Sequence, residues 1–168
     1  MFALLSFLIF FLATSLQLTL IPRWAILGSM PNLLLVLIIL WSTLFGFKRS
    51  FWLAILFGFL LDTFSGKYFG LFTLSLLIIA FLVDLLNEYI FGRNYLVTSL
   101  VSVTIFNIIL TALFNWLGTK SFIPNYKLII IFIVSLIFHL LLIILLLPLT
   151  ERLKEKIEIY EKRAKLPF

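Results

Sequence analysis

The chain has 168 residues, 64% of them hydrophobic and 17% aromatic, with 13 Lys or Arg against 7 Asp or Glu and a net charge of +6. Soluble domains are about half apolar and about a quarter charged; at 12% charged and a mean hydropathy of +1.25, this chain has too few polar side chains to coat a globule in water. With no Cys and the single His139, disulfides and thiolate chemistry fall away, and a histidine-ligated metal centre lacks ligands.

Half of the charged residues lie between Glu151 and Lys165, so the sequence divides into an apolar body, residues 1–149, and a charged tail, residues 150–168. The basic excess sits in short loops and in a tail that also carries Glu151, Glu155, Glu158 and Glu161. That distribution speaks for membrane topology and not for nucleic acid.

The first apolar stretch, 2–20, has no Lys or Arg before it, and Ala13-Thr14-Ser15 is a poor cleavage site, so it reads as a retained helix. Pro22 and Gly28 break the chain. Pro31 opens a second span, 31–47, at a position where the missing N–H has no helical partner, and Lys48 and Arg49 close it. Segment 51–64 is short: its helix reaches ~21 Å against a hydrocarbon core of ~30 Å. It can extend through Ser65 and Gly66, thin the bilayer, or re-enter without crossing. Segments 69–91, 95–117 and 127–147 are each long enough to cross. The expectation is an all-α polytopic membrane protein, a bundle of six helices.

Six spans put both termini on one side, together with Lys48, Arg49, Arg93 and the basic residues of the tail; Arg23, Lys67, Lys120 and Lys127 lie opposite. The positive-inside rule makes both termini cytoplasmic. Trp41, Trp52, Trp116 and Tyr126 fall near the predicted membrane interfaces as an aromatic belt. In the tail, Leu149, Leu153, Ile157, Tyr160 and Ala164 recur at helical spacing. This amphipathic helix reads as a solvated extension along the headgroups or as a docking helix for a cytoplasmic partner.

Ionisable groups at membrane depth face protein, a cavity or a partner. Ser50, Ala54, Gly58 and Asp62 recur every four residues and form a small-residue face that lets another backbone approach closely. Asp62 has two readings: a structural anchor, bonding the backbone of the turn after it or pairing with Lys67, or a site for a cation, proton or polar ligand. Gly66 and Gly70 beside it favour a tight turn and the structural role. Asp84 and Glu88 share a helix face; Glu88 is near the helix end and within reach of Arg93, and Asp84 lies deeper and needs a partner. His139 reads as a hydrogen-bonded group between helices, with a proton relay as the rival. Thr104, Asn107, Thr111 and Asn115 make a polar ridge on the fifth span, suited to another helix of the bundle, a second protein or a ligand.

Pro31-Asn32-Leu33-Leu34-Leu35, Gly58-Phe59-Leu60-Leu61-Asp62, Ser65-Gly66 and Phe69-Gly70-Leu71 follow one another in an order that resembles the rod shape-determining protein MreD family. The motifs cover about residues 30 to 90, and Asn32 and Ala54 depart from the acidic residue and the Gly common there in the family. The resemblance implies a non-enzymatic component of the bacterial cell-wall elongation machinery in the cytoplasmic membrane. Its implied partners are MreC and, indirectly, MreB, RodA and RodA's transpeptidase. It also implies a fold similar to the substrate-binding subunits of energy-coupling-factor transporters, and that supplies the rival function: a subunit holding a small molecule among its helices. That rival needs polar groups converging on one cavity, and a small-xxx-small docking face on the first helix, which 2–20 lacks. An enzyme needs an activated nucleophile or a metal; the sequence offers scattered Ser, lone carboxylates and His139. No cofactor is expected.

Overall fold

In the computed structural model, residues 2–24, 31–65, 69–90, 94–119 and 126–164 are described, with side chains except at 2, 3, 22, 24, 65, 110–119, 128, 158 and 160–164. Six α-helices are present among them: α1 (Phe2–Thr19), α2 (Leu33–Phe45), α3 (Phe47–Ser65), α4 (Leu71–Tyr89), α5 (Tyr95–Thr119) and α6 (Tyr126–Ala164), with a 3₁₀ turn at Ile21–Trp24 after α1.

α2 is apolar around its whole circumference, and a helix of that kind must be covered on every side. Every residue from Leu34 to Leu44 is buried, and α2 packs against α1, α3, α4, α5 and α6. It is the axis of the bundle. Around it α1 neighbours α3, α3 pairs with α4, α4 with α5, and α5 with α6. Phe10 of α1 meets Trp41 of α2 edge-on, with ring centroids 5.5 Å apart, and Phe57 of α3 at 5.4 Å. Such ring pairs contribute about 1 kcal/mol each beyond the area they bury. Trp41 is therefore a core residue and not part of an interfacial belt, whereas Trp52 and Tyr126 are exposed.

The outer surface is apolar. Leu4, Phe7, Leu8, Phe11 and Leu12 of α1, Leu74, Ile78 and Phe81 of α4, and Ile133, Ile137, Leu141, Ile144 and Leu145 of α6 are exposed. Contiguous apolar surface on this scale needs lipid or protein over it. By length and composition α4 and the stretch Ile129–Ile157 of α6 are long and apolar enough to cross a membrane.

Two elements differ from the sequence expectation. α3 is not a short segment: α2 ends at Phe45, Gly46 turns the chain at φ +81°, a conformation that disfavours any side chain, and α3 begins at once with Phe47. Lys48 and Arg49 lie in its first turn and not in a loop, and its 19 residues reach ~28 Å. α6, in turn, runs without a break through Pro148 into the tail. Thr150, two residues on, turns its hydroxyl back to donate to the carbonyls of Leu146 and Leu147 at 3.1 and 2.9 Å.

α3 and α4 form a close antiparallel hairpin. A Cβ added at Gly58 would stand 2.7 Å from Thr73 Cα and 3.2 Å from Thr73 N, atoms of the α4 backbone that cannot turn aside. Gly58→Ala is expected to push the hairpin apart and lower stability by about 1–3 kcal/mol, read as a fall in the melting temperature of the detergent-solubilised protein. At Ala54, also fully buried, Ala54→Leu should act in the same direction.

Candidate functional site

A helix leaves its first backbone N–H groups without helical partners, and inside a bilayer no water replaces them. Polar side chains buried within the protein answer this at two helix ends.

The first is the N-terminus of α4. Its cap is Gly70, in a left-handed conformation and without a side chain to accept a bond. The acceptor comes from α3: Asp62 Oδ1 accepts the Phe72 amide and Oδ2 the Thr73 amide, both at 2.9 Å, and the Thr73 hydroxyl donates to the same Oδ2. Asp62 is 2% exposed. The carboxylate takes the second and third amides of the helix in place of a cap residue, and its charge faces the positive end of the helix dipole. The amides that Asp62 accepts belong to the first turn of α4, beyond the turn at residues 63–70 to which the sequence pointed, and Lys67 lies outside the described residues.

The row Ser50, Ala54, Gly58, Asp62 is buried throughout. The Ser50 hydroxyl donates to the carbonyls of Gly46 and Phe47, and Gly58 abuts Thr73. The chain's own α4 takes up the close approach that the small residues permit. Asp84, on α4, stands near the other end of the hairpin: its Oδ1 lies 3.4 Å from where a side chain would begin at Gly46, at the start of α3. Each helix of the hairpin thus brings an acidic residue to the other's N-terminal end. Among the described residues neither Asp84 nor Glu88 forms a hydrogen bond or ion pair, and Glu88 is exposed.

The second end is the N-terminus of α2, where four helices meet. Asn32 caps α2, its Oδ1 accepting from Leu35 N at 3.0 Å. Gln17 of α1 spans the entry: its Oε1 accepts the Leu33 amide at 2.8 Å and its Nε2 donates to the Pro31 carbonyl at 3.1 Å. The Asn32 amide donates to His139 Nε2 of α6 at 3.0 Å. A backbone amide only donates, so Nε2 is the unprotonated nitrogen and the proton of the neutral ring sits on Nδ1. Nδ1 lies 3.3 Å from Ser135 Oγ, whose hydroxyl donates to Asn107 Oδ1 of α5 at 2.9 Å. Asn107 Nδ2 lies 3.2 Å from Nδ1 and donates to the Val103 carbonyl at 2.9 Å. His139 and Asn107 are each 3% exposed, so this centre is sealed within the bundle.

Of the ridge on α5, Asn107 belongs to that centre, and Thr104 bonds back to its own helix at Leu100 O. The side chains of Thr111 and Asn115 lie outside the described residues, as does Gly66. Among its described residues, α5 buries the small polar side chains of Thr98, Ser99 and Ser102 completely. Thr98 bonds Asn87 of α4 at 3.4 Å, Asn87 donates to the Thr43 carbonyl of α2 at 3.0 Å, and Ser42 donates to the Ala80 carbonyl of α4 at 2.6 Å.

Sequence reasoning missed Gln17 and Ser135, whose partners lie on other elements. Of the tail stripe, Ile157 is buried and Leu153 half-buried, and the side chains of Tyr160 and Ala164 lie outside the described residues. Leu149 is exposed, and the buried line of α6 runs His139, Ile143, Leu147, Thr150 and Ile157. Lys154 lies in that line and donates to the Tyr95 hydroxyl at 3.0 Å, its ammonium 4.8 Å above the Tyr95 ring.

Asp62→Ala leaves two buried amides without acceptors and is expected to cost about 3 kcal/mol or more, with Asp62→Asn between it and the parent, in thermal unfolding of the purified protein. His139→Leu removes the acceptor of the Asn32 amide. Hydrogen exchange in lipid nanodiscs should then show Asn32 deprotected by about tenfold or more while amides in the middle of α2 are unchanged.

Comparison with curated proteins returns no match, and comparison with solved structures returns none either. A family profile does match: that of the rod shape-determining protein MreD, over residues 1–149. This range holds Pro31, Asn32, Gly58, Asp62, Asn107 and His139, the residues that seat α2 and α4, and the chain belongs to the MreD family.

Proposed function

We propose that this chain is a non-enzymatic, multi-pass component of the bacterial cell-wall elongation machinery, in the cytoplasmic membrane with both termini in the cytoplasm. In this reading it maintains rod shape by binding MreC and linking the wall-synthesis proteins, with MreB, RodA and the RodA transpeptidase as indirect partners. The family is one of shape-determining components and is not a known enzyme family. The observation that carries the reading is the use made of polar groups at depth: Asp62, Gln17, Asn32, Asn107, Ser135 and His139 each tie one helix to another. That is the construction of a rigid platform. The lysine and arginine distribution supports the orientation.

The transporter-subunit reading, with its likeness to energy-coupling-factor subunits, is the weaker one. A captured vitamin needs room among the helices, and α2 fills the axis with side chains buried from Leu34 to Leu44.

The placement of Gly58 changes how a partner is sought. Because Gly58 meets α4 of the same chain, a bulky substitution there disrupts the fold before it touches any partner. The direct test is affinity purification of the intact protein in mild detergent. Copurification of MreC above the level of an unrelated membrane protein is expected; a transporter ATPase in its place, with no wall-synthesis protein, would overturn the proposal.

A further inference from the structure

Where α6 leaves the apolar region, a cavity of about 380 Å³ opens between it and the ends of α2 and α5, lined by Leu44, Tyr95, Glu151, Lys154 and Glu155. Its lining is of mixed charge. Glu151 and Glu155 are one helical turn apart on α6 and so project side by side. Lys154 lies across the Tyr95 ring with its ammonium on the Tyr95 hydroxyl, and Leu44 adds an apolar wall.

The depth of the cavity narrows the choice of ligand. Glu151, Lys154 and Glu155 come two to six residues after Leu149, the last residue of the apolar run, or about 3–9 Å along the helix. That is the thickness of the headgroup layer, which accounts for roughly 5–7 Å on each side of the hydrocarbon core.

We infer that this cavity is a binding site for the headgroup of a zwitterionic aminophospholipid of the phosphatidylethanolamine class. Its primary ammonium donates to Glu151 and Glu155, its phosphate accepts from the Lys154 ammonium, and the glycerol end of the lipid lies against Leu44. Two carboxylates select a cation with N–H groups to donate over a trimethylammonium, which has none. The same carboxylates repel a headgroup that carries only negative charge. Arg152 and Lys156, exposed on α6, lie outside the cavity and attract anionic lipid without selecting among headgroups.

The test is native mass spectrometry of the full chain in mild detergent, titrated with phosphatidylethanolamine, phosphatidylcholine and phosphatidylglycerol of identical acyl chains. Phosphatidylethanolamine should be retained at about tenfold lower concentration than either of the others, as the gain of one charge-assisted hydrogen bond predicts. The double variant Glu151→Gln, Glu155→Gln should lose that preference at unchanged helicity and melting temperature, while Arg152→Gln keeps it. Equal retention of the three lipids by the parent chain, tighter retention of phosphatidylglycerol, or an undiminished preference in the double variant would each overturn the inference. The three-lipid comparison on the parent chain stands even if the double variant folds poorly. Its outcome does not depend on which protein copurifies, so failure here leaves the proposed function untouched.

Discussion

The bundle depends on seating one helix where neither water nor lipid reaches it. α2 is buried from Leu34 to Leu44, so its side chains need close packing from five directions, and its exposed N-terminal amides need acceptors from protein. Gln17, Asn32 and His139 supply them from α1, from the cap itself and from α6. The packing gives the helix its surroundings, and the hydrogen bonds set its height and rotation within them. In a medium without water an amide left without an acceptor costs several kcal/mol, so the register of α2 is sharply defined.

The same solution appears at α4. Gly58 lets the α3 and α4 backbones approach until Asp62 reaches the Phe72 and Thr73 amides. The small residue and the acidic one are therefore parts of a single device: the close approach without the carboxylate leaves a bare helix end, and the carboxylate without the approach falls short of it. Between helices in lipid there is little hydrophobic drive, which is why contact geometry and hydrogen bonds hold this hairpin together.

Much of this was legible in the residues, and what was not has specific physical reasons. The apolar runs located the helices because hydrocarbon demands them. The spacing of Ser50, Ala54, Gly58 and Asp62 revealed a packed face, but periodicity within one helix does not say which neighbour fills it, and the neighbour is α4. Lys48 and Arg49 looked like a loop because charge ends an apolar run; in the structure they occupy the first turn of α3, where both are exposed. Gln17 gave no signal, since it bonds backbone atoms at positions 31 and 33, and any sequence presents such atoms. In the tail, the stripe that begins at Leu149 includes the buried Ile157, but Leu149 itself is exposed and Thr150 is buried in its place, because periodicity gives a face and not its neighbours. Of the α5 ridge, Thr104 and Asn107 are turned to uses within the bundle.

The seating of α2 is tested most directly by tryptophan scanning, with folded yield after detergent extraction as the readout. A large ring is tolerated where a side chain faces lipid and is not tolerated where it faces packed protein. Substitution at every position from Leu34 to Leu44 other than Trp41 should abolish the folded peak, while Ile137, Leu141 and Leu145 of α6 accept the ring. Tolerance recurring every third or fourth residue along α2 would mean that one of its faces meets lipid, and would contradict the account.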